Sequence, residues 1–296
     1  MKETNHINKH TSLGHMAALI TIFLWGTTFI STKFLLAYIS PLEILVFRFV
    51  LGWLVLLVIA PKLLKTTNWR EELLFVGAGL TGVTLYFLLE NIALTYTLAS
   101  NVGVIVAITP FFTALLASLF LKEETLRLSY FIGFLISLMG ICVLSFSGGE
   151  ISFSSIGDVL AVLASICWGF YSILTKKISN LGYSNILTTR RIFSYGILFM
   201  LVAMPFLGFK PQLAHYTQTV VWANLLFLGI GASAFCFISW NYAVKVIGAV
   251  KTSVYIYLVP VVTVTFSVLI LHEPLTLPMV IGIGLAIVGL LVSERK

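Results

Sequence analysis

Ten apolar runs, each close to the roughly 20 residues that a helix needs to cross a bilayer core of about 30 Å, follow one another along almost the whole chain. They lie near Leu13 to Leu36, Leu42 to Ala60, Leu73 to Leu94, Val102 to Leu121 and Leu128 to Phe146. A second set lies near Ile156 to Thr175, Ile186 to Leu207, Val220 to Val244, Thr252 to Leu271 and Leu277 to Val292. With 59% hydrophobic and only 10% charged residues among 296, nothing is left over to build a sizeable soluble domain. The expected fold class is therefore an all-α integral membrane protein of ten transmembrane helices, with lipid as its solvent.

The net charge of +7 does not point to nucleic acid, because the basic residues sit singly or in pairs in short connections between apolar runs. Placing the N-terminus in the cytoplasm puts every connecting or terminal Lys and Arg on the inner side except Lys210. Lys33, Arg48, Arg190 and Arg191 fall within spans. The positive-inside bias then predicts a multi-pass protein of the cell membrane with both termini cytoplasmic. Residues 1–12 form a polar, weakly basic tail, and the first run lacks an A-x-A cleavage pattern and is expected to stay as the first span. Cys142, Cys167 and Cys236 lie inside apolar runs without C-x-x-C spacing, so they read as packing residues rather than disulfide partners or metal ligands.

The rarer residues repeat. Trp25-Gly26, Lys33 and Arg48 recur as Trp168-Gly169, Lys176 and Arg191, all displaced by 143 positions. Leu73 to Gly79 matches Leu225 to Gly231, and Asn91, Ala93, Pro110 and Glu123 match Asn241, Ala243, Pro260 and Glu273 at a displacement of 150. Gly133 and Gly140 correspond to Gly282 and Gly289. These matches divide the chain into a first five-helix repeat over residues 13–147 and a second over residues 156–293. Five is odd, so the second repeat enters the membrane from the opposite side and the two are inverted. Inverted repeats are a design of secondary transporters, in which two similar bundles rock about a central site.

These residues resemble the EamA type of the drug/metabolite transporter superfamily, over essentially residues 13 to 292. The resemblance rests on the Trp-Gly in the first helix of each half, the Pro within the fourth and the Glu that ends it. It implies ten helices in a five-plus-five arrangement and export of amino acids or related compounds as the leading activity.

An ionisable residue inside a span is expensive and marks a functional candidate. Glu90, whose repeat counterpart is Trp240, can exchange a proton, pair with a cationic group of a substrate, or form a packing salt bridge with Lys33 or Arg48. Arg48 and Arg191 read either as snorkelling side chains or as holders of a substrate's anionic group. Trp25, Trp168, Trp240, Tyr86 and Tyr255 are candidates to line a cavity by stacking or cation-π contact, with Tyr171 and Tyr257 beside them. Asn91 and Asn241 are expected to hydrogen-bond at the seam between repeats. The set of candidate binding residues is thus Trp25, Lys33, Arg48, Tyr86, Glu90, Asn91, Trp168, Arg191, Trp240, Asn241 and Tyr255, with Pro110 and Pro260 as hinges. Glu123 and Glu273 are expected to cap helix ends, and the paired glycines to mark close helix packing.

The chain carries no G-x-x-x-x-G-K-[ST] loop, no H-E-x-x-H and no paired Asp in a helix, so neither ATP drive nor intramembrane catalysis is indicated. No catalytic residue, metal or cofactor is expected. The leading expectation is a secondary transporter of small organic metabolites, working as a monomer or homodimer in the bilayer. The alternatives are a facilitative or uptake permease for a nucleotide-like or vitamin-like metabolite, and a non-transporting receptor or assembly protein.

Overall fold

The computed structural model describes residues 2–121, 128–145, 155–207, 209–211, 213–273 and 275–293, and within them every regular element is a helix. The helices are α1 (Lys2–Leu35, apolar from Thr11), α2 (Pro41–Ile59), α3 (Trp69–Tyr96), α4 (Ala99–Phe120) and α5 (Leu128–Ser145). The second half contributes α6 (Ser155–Ser179), α7 (Asn185–Ala203), α8 (Thr219–Ile247), α9 (Ala249–Leu271) and α10 (Leu277–Ser293). Eight are long and apolar enough to cross a membrane, and α5 and α10 are the shorter apolar pair. Glu123, expected to end α4, lies outside the described residues, as does the side chain of Cys142. Cys167 and Cys236 are free thiols.

Local chemistry sets the ends. Ser40 and Glu43 form a reciprocal capping box at the start of α2, with Pro41 in the first turn, where its missing N–H costs nothing. The Asn68 side chain accepts from the Glu71 N–H and caps α3, which starts four residues earlier than hydropathy suggests. The charged first turn, with Arg70, Glu71 and Glu72, hides that start from an apolar window. Gly248, at φ +90°, joins α8 to α9 with a single residue, a conformation a side chain would oppose.

Four helices are irregular, and they are repeat mates. Both α3 and α8 contain a π-helical stretch, Leu80–Leu85 and Phe227–Phe235. The fourth helix of each half is interrupted ahead of its proline. In α4 the break falls at Ala107 and Ile108, whose N–H groups turn to the carbonyls of Val104 and Ile105. The Val106 carbonyl, which would have accepted from residue 110, is taken by the Thr109 hydroxyl at 2.6 Å. In α9 the corresponding segment Tyr255–Leu258 is 3₁₀-helical.

Packing runs mainly between the halves, and each contact has a mate. Helix α1 packs on α8 and α9, while α6 packs on α3 and α4. Helix α2 packs on the π-segment of α8, and α7 packs on α3. The glycines mark the crossings: a Cβ on Gly26 would lie 2.5 Å from Val262 in α9, and one on Gly169 would lie 3.2 Å from Phe112 in α4. Helices α5 and α10 pair with each other through Gly133 and Gly289. The Glu273 carboxylate does cap a helix, but not its own: it accepts from the N–H groups of Ala99 and Ser100, at 3.3 and 3.4 Å, at the start of α4 in the other half.

Two glycines of α10 give a contrast within one helix. A Cβ on Gly289 would lie 2.0 Å from Ser137 Oγ and 2.6 Å from the Gly133 carbonyl, whereas one on Gly284 would meet nothing within 4 Å. Gly289→Ala is expected to cost about 1–3 kcal/mol of stability in detergent. Gly284→Ala is expected to be neutral or to stabilise by up to about 1 kcal/mol, since Ala is the better helix former. Equal melting temperatures for the two variants would contradict the α5–α10 seam.

Candidate functional site

The breaks in α4 and α9 border one cavity at the seam between the halves. Its wall takes Ile22, Trp25, Thr28 and Phe29 from α1, Tyr86, Phe87 and Glu90 from α3, and Trp168 from α6. The remaining wall comes from the two interrupted helices, with Val106 and Thr109 of α4 and Ile256 and Val259 of α9. The expected hinges Pro110 and Pro260 therefore sit one residue beyond wall positions, in helices that are already broken there.

Aromatic rings fill the seam. Trp25 and Trp168, repeat mates, meet edge to face with centroids 5.0 Å apart. Trp240 lies 5.1 Å from Trp25, and Tyr86 lies 4.6 Å from Trp168. Trp25 Nε1 donates to the Ala232 carbonyl in the π-segment of α8, while the indole N–H groups of Trp168 and Trp240 are buried without a partner. The wall hydroxyls of Thr28 and Thr109 are committed to the carbonyls of Trp25 and Val106 in their own helices.

Among the described residues Glu90 is the one carboxylate of this wall; it is 1% exposed, and its Oε1 has no hydrogen-bond partner. Tyr86 and Arg48 are the groups that act on it electrostatically. A packing salt bridge with Lys33 or Arg48 does not form: among the described residues the ion pair within 4.0 Å is Arg191 with Glu72. Lys33 is engaged elsewhere, its Nζ donating to the carbonyls of Leu94 and Thr97 at 2.6 and 2.8 Å, where it closes the C-terminal turn of α3.

The two repeat-related arginines part company. Arg48 does not snorkel: it is fully buried, its Nε donates to Ser233 Oγ at 3.1 Å, and the guanidinium lies 4.3 Å from the ring centroid of Phe87. Arg191 is about one-third exposed and holds Glu72 at 2.7 Å. Around it a polar cluster joins the halves at one end of the bundle, with Tyr195 and Thr66 on Glu72 and Tyr183 on Glu71. Arg190 adds hydrogen bonds to the carbonyls of Ala60 and Lys62. At the opposite end Tyr216 donates to Glu43 at 3.0 Å and Ser31 to Asn224 at 2.6 Å. Burial, reinforced by that carboxylate, pushes the Tyr216 phenol up from its ordinary value.

Of the expected binding residues, Trp25, Tyr86, Glu90 and Trp168 line the cavity, and Trp240 packs directly behind them. The others do not. Asn91 donates to the Pro41 carbonyl, Asn241 bridges Tyr171 and Thr189, and Tyr255 pairs with His15 Nδ1 at 2.6 Å. Phe87 and Phe237 were missed by the sequence reading, although they share the displacement of 150 with Asn91 and Asn241; their rings lie 6.0 Å apart at the seam.

Comparison with known proteins places this arrangement. The model of the EamA-like transporter family matches residues 12–146 and again residues 155–294. An uncharacterized transporter of Archaeoglobus fulgidus is 27% identical over 280 residues, covering 94% of this chain and 97% of its own. A probable terminal-alkyne amino-acid exporter of Streptantibioticus cattleyicolor is 25% identical, with 95% and 93% of the two chains covered. A solved crystal structure superposes with a TM-score of 0.72 at 19% identity, over 97% of this chain and 96% of the other.

Lys33→Met removes both donors from the last turn of α3 and is expected to lower the unfolding free energy in detergent by about 1–3 kcal/mol. An unchanged stability would return Lys33 to the candidate ligands.

Proposed function

The chain belongs to the EamA-like transporter family, and from that premise we propose that it exports small amine-bearing metabolites, amino acids or related compounds, by alternating access of its two halves. The observation that carries this reading is Glu90, a buried carboxylate with an unpartnered oxygen in a wall of Trp, Tyr and Phe. A carboxylate and aromatic faces together suit an ammonium group, one by charge and the other by cation-π attraction. The relative named as a probable amino-acid exporter supports the substrate class and the direction.

The same carboxylate supplies a coupling device. Taking an uncompensated charge through the bilayer interior costs several kcal/mol, so Glu90 moves between sides either protonated or paired with a cation. Proton and substrate then compete for one site, and a proton entering on one side drives substrate out on the other. The protein works in the cell membrane with both termini cytoplasmic, where its basic connections remain on the inner side.

In proteoliposomes, flux of the metabolite that most stabilises the purified protein in a thermal-shift panel is expected to follow an imposed pH gradient, and to stop following it in Glu90→Gln. Flux in Glu90→Gln that tracks the gradient as in the wild type would remove Glu90 from coupling. For orientation, a fluorescent protein fused to the C-terminus is expected to fluoresce, and alkaline phosphatase fused there to be inactive. The reverse result would turn the protein over in the membrane.

A further inference from the structure

Arg48 stands out in the seam as a charge with almost no commitments. It is fully buried in α2 and uses one of its five donor N–H groups, on Ser233, while Nη1 and Nη2 have no partner. Its repeat mate Arg191 is paired with Glu72 at 2.7 Å, and Asn224 stands at the position in α8 that matches Glu72 in α3. No carboxylate is therefore supplied to Arg48 by the symmetry of the scaffold. The acid within its reach is Glu90, which the repeat does not demand either.

The geometry brings the two within a side-chain rotation of each other. Phe87 and Glu90 are three residues apart on α3 and both face the cavity, so they are neighbours on one side of the helix. The Arg48 guanidinium lies over the Phe87 ring, 4.3 Å from its centroid, and Phe87 precedes Glu90 by about one turn of α3. Glu90 Oε1 and both Arg48 Nη atoms are the unpartnered ends that such a rotation would join. In the structure the two groups are not paired within 4.0 Å.

We propose that Arg48 is a tethered counter-cation for Glu90, closing onto the carboxylate when the site is empty and swinging back over Phe87 when an amine occupies it. The proposal rests on the reading of Glu90 as the cation-binding group. It makes Arg48 a positioning residue that sets affinity by competition. Arg48 also accounts for a feature of the wall. With the guanidinium placed beyond Phe87, no Lys or Arg among the described residues lines the cavity to repel an amine.

The test uses the full-length purified protein in detergent, with phenethylammonium as the probe and tryptophan fluorescence as the readout, since Trp25 and Trp168 line the cavity. Glu90→Gln is expected to lose binding, and Arg48→Met to bind the probe about tenfold more tightly than wild type, as removal of an internal competitor that holds the site about nine-tenths of the time requires. Arg48→Lys, which keeps a cation, is expected to return affinity toward wild type. If Arg48→Met does not fold, Arg48→Gln replaces it with the same expectation. Equal or weaker binding by the neutral variants, with binding still lost in Glu90→Gln, would overturn the counter-cation alone. Equal binding by wild type and Glu90→Gln would overturn the reading of Glu90 beneath it, and absence of binding by every protein would overturn both.

Discussion

The hydrocarbon core of a bilayer offers no water, so every polar group placed there must find its partner inside the protein. The architecture depends on how this chain meets that constraint. Most of its backbone is regular helix and needs no help. The exceptions are concentrated in the π-segments of α3 and α8 and the breaks in α4 and α9, where carbonyls are taken up by side chains. Thr109 covers the Val106 carbonyl and Trp25 covers that of Ala232, and each also forms part of the cavity wall. Val106 and Thr109 flank the break in α4, and Ile256 and Val259 lie in or beside that of α9, so two of the four departures from regular helix border the site.

Symmetry builds this place and asymmetry gives it chemistry. Trp25 with Trp168, Phe87 with Phe237 and Gly26 with Gly169 are matched pairs, and they bring the halves together as nearly equivalent bodies. Two such bodies can open toward either face at comparable energy. Glu90 opposite Trp240, and Arg48 differing in surroundings from Arg191, break the match at the centre. A symmetric shell lined only by rings would bind apolar molecules; in the proposed function, one carboxylate makes it a cation site.

Much of the shell was legible in the sequence, and the reason is physical. Apolar length reports helices directly in a lipid solvent, and rare residues at fixed spacing report the repeat. The cavity tryptophans and Glu90 followed, because a Trp beside a mid-helix Gly and a lone acid are hard to explain otherwise. What spacing could not convey was commitment. Lys33 and Arg48 were both candidate ligands within spans, yet the Lys33 ammonium is fastened to the end of α3, while Arg48 is buried almost free. Tyr255 looked like Tyr86, but its hydroxyl belongs to His15. Such differences turn on which side of a helix meets which neighbour, and a π-segment shifts that facing without leaving a mark in composition.

The central claim is that the two halves move against each other about the aromatic seam. Spin labels at Asn68 and Gly182 report one end of the bundle, where Thr67 reaches Tyr183, and labels at Tyr38 and Gln218 report the end where Tyr216 reaches Glu43. Pulsed electron-electron resonance distances across both pairs, measured at low and high pH in nanodiscs, test the claim most directly. The account predicts that one distance distribution lengthens as the other shortens. Distributions that do not change, or that lengthen together, would contradict it.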